Sequence, residues 1–232
     1  MKTLMMKMTL LIVTGASLRA QALNPKSPNS GMAPIDQYLM APDAEISMAR
    51  SAAPESVARD AEVMIMTRSG YETVISGKNG FVCVVQRSWT AGIDDPEFWN
   101  PKVRSPICFN SAAARSYLLQ AIRKTKLILA GRSKAEMFED LATALDKKEL
   151  PAPEPGAMCY MLSKEGHLND RAGHWHPHLM FFLPLTDPAA TWGAGLPGSP
   201  ILADKDIQGR VTVFMVPVHK WSDGTEAPPM EE

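Results

Sequence analysis

The sequence predicts an α+β fold with a mostly antiparallel sheet of about six strands and two main helices packed against it. Short β-rich runs occupy residues 62–87, amphipathic segments follow at 112–130 and 134–147, and β-rich runs return after residue 156. Strands that are grouped on either side of helices, rather than alternating with them, are typical of this class. The apolar share of 45% is enough for a packed core, which excludes a disordered chain.

The first 22 residues predict a cleavable export signal. Lys2 and Lys7 supply positive charge, an apolar run follows, and Ala20-Gln21-Ala22 offers small residues at the two positions that a signal peptidase recognises. A membrane-spanning helix needs ~20 apolar residues, and this run is about half as long. We therefore expect removal after Ala22, no membrane insertion afterwards, and a soluble protein exported to the periplasm or the outside.

The rest of the chain divides into three predicted parts. Residues 23–34 are rich in turn formers and predict a flexible leader, residues 35–221 a single α+β domain, and residues 222–232 a polar C-terminal tail. Removing the three positive charges of the signal takes the formal net charge from −1 to −4, with both signs interspersed. So mild a charge argues against a nucleic-acid partner.

Three strands are predicted in the first half of the chain, at residues 62–67, 72–76 and 81–87. The Asn79-Gly80 pair is a strong tight-turn signal, so the three strands are expected to form an antiparallel meander. The last of them is apolar on both faces, which places it inside the sheet. Residues 94–106 contain three prolines and predict an irregular loop.

Four helices are predicted. Asn110 or Ser111 caps the third, and the residues from Ser133 to Glu136 form a capping box that begins the fourth. The helices are expected at residues 35–39, 45–52, 112–130 and 134–147.

Three more strands are predicted in the C-terminal third, at residues 157–163, 174–183 and 210–221. A Gly/Pro-rich loop at 187–209 separates the last two. If these two pair antiparallel, His219 lies near the start of the strand at 174–183.

The three cysteines, Cys83, Cys108 and Cys159, leave two possibilities open. An oxidising compartment permits one disulfide, and a Cys83–Cys108 bond would close a loop of about 25 residues. The alternative is three buried thiols, because free cysteine behaves as a small apolar side chain. The spacing does not decide the pairing.

The segment from His174 to His178 (His-Trp-His-Pro-His) has the strongest functional content. On an extended strand its histidines share one face, while the odd positions through Leu183 form an apolar face that we expect in the core. Neutral imidazole binds zinc and copper, so this face is a candidate site for such a metal. The candidate ligands are His174, His176, His178 and His219.

Two classes of function follow from this segment. The first is a non-catalytic or ligand-binding role, in which the histidine face binds a divalent metal or forms a polar surface without metal. The alternative is a metal-dependent hydrolase or oxidoreductase that uses the same histidines with an open coordination position. The first is favoured because no acidic or basic partner stands close to the cluster in the sequence.

Overall fold

The computed structural model describes residues 29, 31–169 and 173–229. The expected export signal and most of the predicted leader lie outside these residues. Eight strands form one sheet: β1 (Glu62–Thr67), β2 (Gly70–Ile75), β3 (Val82–Gln86), β4 (Ser105–Phe109), β5 (Met158–Met161), β6 (His178–Pro184), β7 (Leu202–Asp206) and β8 (Val211–Pro217). Across the sheet their order is β2-β1-β3-β4-β5-β6-β8-β7.

The two predicted helix caps are confirmed. Asn110 accepts a hydrogen bond from the amide of Ala113, and the capping box of Ser133 and Glu136 is complete. None of the helices in the described ranges is long and apolar enough to cross a membrane. They are α1 (Pro42–Arg50), α2 (Glu55–Ala58), α3 (Ser111–Ala114), α4 (Tyr117–Leu129), α5 (Lys134–Asp146) and α6 (Pro188–Trp192), with 3-10 turns at Ile35–Gln37 and Ser88–Thr90.

Other parts of the helix prediction are corrected. The helix predicted at 35–39 is a 3-10 turn, and the one predicted at 45–52 spans Pro42–Arg50. Two short helices, α2 and α6, were missed.

The helix predicted at 112–130 is broken at Ser116. This residue has φ −127° and ψ −82°, outside the helical region. Its hydroxyl donates to the carbonyl of Ala112 and accepts a bond from the amide of Glu154. A serine that bonds backbone groups in this way competes with the helical ladder, so the chain divides into α3 and α4.

The α+β class is confirmed, but the sheet is larger than predicted and mixed. Strands β1 and β3 run parallel, and every other neighbouring pair is antiparallel. The predicted antiparallel meander is therefore wrong, because β3 pairs with β1 and not with β2.

The connection between β2 and β3 explains this arrangement. It crosses the beginning of β1, where the carbonyl of Asp60 accepts bonds from the amides of Lys78 and Asn79. A Cβ at Gly77 would collide with the backbone of Glu62, so only glycine permits so close a crossing. The chain does bend at Asn79-Gly80, but the bend follows a crossing over β1 and does not join two paired strands.

Two strands were missed by the sequence analysis. Strand β4 contains Pro106 and begins in the predicted proline-rich loop; Pro106 lies opposite Val85 of β3. Strand β7 lies in the predicted Gly/Pro-rich loop and contains Asp204, Lys205 and Asp206. Charged residues on an edge strand protect it from pairing with another chain, but they also hide it from pattern analysis.

The two faces of the sheet pack against different helices. We call the face that carries Val84, Ile107 and Phe182 the front face; α4 and α5 contribute to its core. The opposite face, the back face, carries Val63 and Val85 and packs against α1 and α2. Both clusters exclude water, so the central strands are apolar on both sides, as predicted for 81–87.

Strand β6 begins at His178 and not at residue 174. Trp175 and Pro177, which precede the strand, are buried as predicted.

The predicted orientation of the strand is wrong from His178 on. Phe182 is 1% exposed and lies in the front core, whereas Phe181 is half-buried on the back face against the ring of Trp192. His178 and Met180 therefore share the front face with Phe182. Strand β6 is apolar on both faces from Leu179 onward, so alternation alone could not show which face meets the larger core.

Cys83 and Cys108 lie directly opposite each other on β3 and β4 and form a disulfide. Cys159 is a buried free thiol. The pairing that the sequence left open is therefore decided by the neighbouring positions of β3 and β4.

We predict that Phe182→Ala lowers the free energy of unfolding by about 3–5 kcal/mol, the range for emptying a buried aromatic site. Phe181→Ala is the matched control, and its loss should be clearly smaller because Phe181 is half-buried. Urea denaturation of both variants measures the difference. A larger loss in Phe181→Ala would contradict the orientation of β6.

We predict one free thiol per chain when protein from an oxidising compartment is denatured without reductant, and three after reduction. The reason is the Cys83–Cys108 bond, which leaves only Cys159. Thiol titration followed by peptide mapping gives the count and the position. Three thiols before reduction, or a thiol at Cys83 or Cys108, would contradict the bond.

Candidate functional site

A cavity of about 720 Å³ opens over the front face of the sheet. Strands β4, β5, β6 and β8 form its floor, and the segment after β3, the start of α4 and the loop before β6 form its walls. Small-molecule sites measure about 300–1,000 Å³, so the cavity has the size of such a site.

Three methionines, which we call the methionine floor, line this cavity: Met161, Met180 and Met215. Met161 lies opposite His178, and Met180 lies opposite Met215. Residues that face each other across antiparallel strands point to the same side, so the three methionines and His178 lie on one face of the sheet. Methionine is flexible and polarisable, and such a floor can adapt to apolar molecules of different shape.

Two side chains in the wall each carry a polar atom without a partner in the described part of the chain, although the Oε1 atom of Gln86 accepts a bond from the hydroxyl of Thr90. Gln86 is 6% exposed and Ser88 is 3% exposed, and both line the cavity. The Nε2 atom of Gln86 and the hydroxyl of Ser88 bond to nothing among the described residues. An unpaired buried polar group costs about 1–3 kcal/mol, so native proteins keep few of them.

By contrast, the side chain of Arg87, which lies between these two residues in the chain, is paired. Its guanidinium forms an ion pair of 2.9 Å with Glu45, and neither side chain has any exposed surface. It also donates to the carbonyls of Tyr38 and Val85, while Glu45 accepts the amide of Met66. Each guanidinium nitrogen and each carboxylate oxygen of the pair thus has a hydrogen-bond partner, as buried charges require. This network joins α1 to the ends of β1 and β3.

The turn that follows Arg87 is held from the front side as well. The ring nitrogen of Trp89 donates to the hydroxyl of Thr125 at 3.0 Å, and both residues are fully buried. The ammonium of Lys124 donates to the carbonyls of Thr90 and Ala91. Because the side chains of Arg87 and Trp89 are both held by buried contacts, the backbone at Gln86 and Ser88 is held in place as well.

His178 presents one ring nitrogen as an acceptor. Its Nδ1 lies 2.7 Å from the carbonyl of His176, and a carbonyl only accepts, so the neutral ring carries its proton on Nδ1. Its Nε2 has no hydrogen-bond partner among the described residues. Burial lowers the pKa of this imidazole from its ordinary 6.5, which favours the neutral form.

The other three candidate histidines lie elsewhere. His176 bonds to the carbonyl of Val218 and lines a separate cavity of about 350 Å³ together with His219, as expected from the antiparallel pairing of β6 and β8. His174 is exposed and lies against the ring of Trp221. Within the described ranges, no group of three or more His, Cys, Asp or Glu side chains is placed to hold a metal ion.

No protein-family model matches this chain. No curated protein and no solved structure is significantly similar to it either. Its function must therefore be inferred from the cavity itself.

Sequence analysis identified His178 but missed Gln86, Ser88 and the methionine floor. One signal was present, since Gln86 is a polar residue at the end of an otherwise apolar strand. The methionines gave none, because they stand far apart in the chain and methionine usually fills a core.

We predict that lowering the pH destabilises the protein partly through His178. The pKa of this residue is lower in the folded state than in the unfolded chain. The unfolded state therefore binds the proton first, and stability is present above pH 6.5 and falls as the pH drops below it. His178→Gln should show a shallower decline of the unfolding free energy between pH 7.5 and pH 5. Identical pH profiles would contradict the shift.

Proposed function

We propose that this chain is an exported, non-catalytic binding protein that holds a small, largely apolar molecule in the cavity above the methionine floor. One observation carries the proposal: Gln86 and Ser88, each with a buried polar atom that has no partner among the described residues, line a largely apolar cavity of suitable size. Small-molecule sites combine an apolar lining with a few polar groups that orient the ligand. A ligand would supply the hydrogen bonds that the protein does not.

The unpaired atoms describe the polar part of this ligand. The Nε2 of Gln86 is a donor and requires an acceptor on the ligand, whereas the Nε2 of His178 is an acceptor and requires a donor. The hydroxyl of Ser88 can serve either way. The ligand should therefore carry both an acceptor and an N–H or O–H group on an apolar body.

A binding role is favoured over catalysis by the arrangement of the reactive side chains. The hydroxyl of Ser88 has no base within hydrogen-bond distance among the described residues. Cys159 lies opposite Met180 in the front core, and burial raises the pKa of its thiol well above the ordinary value, so it stays protonated. The alternative of a metal-dependent hydrolase or oxidoreductase lacks a three-ligand group in the described part of the chain.

A second candidate ligand is monovalent copper. The observation that favours it is the free Nε2 of His178 beside the three thioethers of the methionine floor. Thioether and imidazole suit this ion. This proposal replaces the shared site for zinc or copper on His174, His176, His178 and His219, of which only His178 reaches the cavity.

Export remains part of the proposal. It rests on the Ala20-Gln21-Ala22 pattern after a short apolar run, and the Cys83–Cys108 disulfide agrees with it. Disulfides persist in oxidising compartments and are rare in the cytosol.

The proposal predicts a saturable site for dansylamide, a neutral fluorescent probe with an apolar body, sulfonyl acceptors and an N–H donor. We expect one probe per chain, and about tenfold weaker binding in Gln86→Leu because one hydrogen bond is lost. Gln86→Leu should leave the unfolding free energy close to that of the parent, since it removes an unpaired buried donor together with the bond that Oε1 accepts from Thr90. Thr125→Val, which takes away the partner of Trp89, should instead lower it by about 1–3 kcal/mol.

Ser105→Phe is the control for the location of the probe, because Ser105 lines the cavity and a phenyl ring there fills part of it. This variant should lose the probe signal while keeping the circular dichroism of the parent. Absence of saturable binding in the parent protein, or unchanged binding in Ser105→Phe, would contradict the proposed function. Displacement of the probe by one equivalent of monovalent copper would favour the second candidate.

A further inference from the structure

Carboxylates from two distant segments meet beside the cavity. A second cavity of about 530 Å³ adjoins the first and shares with it Asp95, Tyr117, Met180 and Met215. The acidic residues that line the two are Asp94, Asp95, Glu97, Asp204 and Asp206. We call these five residues the acidic mouth.

The pairing of β7 with β8 explains why two of these acids face the cavity. Asp204 lies opposite Val213 and Asp206 lies opposite Val211, and both valines belong to the front core. Opposite residues of antiparallel strands share a face, so the two aspartates lie on the front side. The charge of Asp206, after the effect of burial, raises the pKa of Tyr117, which stands in the wall of both cavities.

The acidic mouth is not neutralised within the described ranges. Asp95 and Glu97 accept only neutral donors, namely the amide of Glu97 and the side chain of Asn100. Asp204 and Asp206 accept only the backbone amides of Lys205 and Gly209. None of the five carboxylates forms an ion pair with a described residue.

Few cations oppose this charge. Lys205 is exposed at the mouth, and Lys124 is buried with its ammonium bonded to the carbonyls of Thr90 and Ala91. Arg87 is already compensated by Glu45. Five carboxylates thus face two ammonium groups among the described side chains, and a cavity lined by one sign of charge concentrates ligands of the other sign.

The unpaired groups of Gln86 and Ser88 give an independent sign that a ligand belongs here. Both are more than nine-tenths buried and line the cavity that Asp95 and Glu97 also line. Gln86 offers a donor, so the buried part of the ligand carries an acceptor. The cationic group remains near the carboxylates, where it keeps part of its hydration.

We propose that the ligand is an amphiphilic cation, with an apolar body on the methionine floor, a hydrogen-bond acceptor at Gln86 and an ammonium-type group at the acidic mouth. The inference rests on the proposed binding function and specifies its ligand class. A carboxylate or phosphate ligand would meet repulsion at the same place.

Three probes with one dansyl body test the charge. Each carries a five-carbon tail on the sulfonamide, which ends in an ammonium, a methyl or a carboxylate group. We expect the cationic probe to bind on the order of tenfold more tightly than the neutral one, and the anionic probe to bind most weakly. Raising the salt concentration should reduce the preference, because exposed charges are screened.

The double variant Asp95→Asn with Asp206→Asn should lower the ratio of cationic to neutral affinity several-fold, because it removes two of the five carboxylates. Glu139→Gln is the matched control, an exposed acid on α5 away from the cavity, and should keep the ratio of the parent. Equal affinities for all three probes would overturn the inference while the binding function stands. If no dansyl probe binds, including dansylamide, both are overturned.

Discussion

Arg87 and Glu45 form an ion pair without solvent exposure, where α1 meets the end of β3. Each charge is completed by backbone partners, and the pair connects the first helix to two central strands. A buried pair of this kind adds little net stability over apolar residues, but breaking it leaves an uncompensated charge, so it strongly disfavours other arrangements. The ion pair therefore fixes the path of the chain where β3 ends.

The cavity follows from this constraint. Gln86 and Ser88 flank Arg87 in the chain, and the bond from Trp89 to Thr125 holds the turn that contains Ser88. The same few residues thus contain a buried, hydrogen-bonded ion pair next to polar atoms that have no partner among the described residues. Proteins that retain such a cost usually do so at functional sites, because the ligand completes the hydrogen bonds.

Features with local causes were predicted correctly. The capping box at Ser133, the cap at Asn110 and the bounds of β1 depend on residues that are near in sequence, and propensity and side-chain capping act over that range. Features with distant causes were not. The crossing at Gly77 depends on the backbone of β1, and β4 and β7 are strands because their neighbours pair with them, although proline or charge disfavours each alone.

The sequence by itself determined the α+β class and the main helices, and it included His178 as one of four candidate histidines. Tertiary structure alone decided which face of β6 meets the front core, since both faces are apolar and only the packing of α4 and α5 distinguishes them. Tertiary structure also decided which residues form the candidate site. Gln86, His178, Met215 and Asp206 lie far apart in the chain, and the order of strands in the sheet brings them to one cleft, an arrangement that no periodicity within a segment encodes.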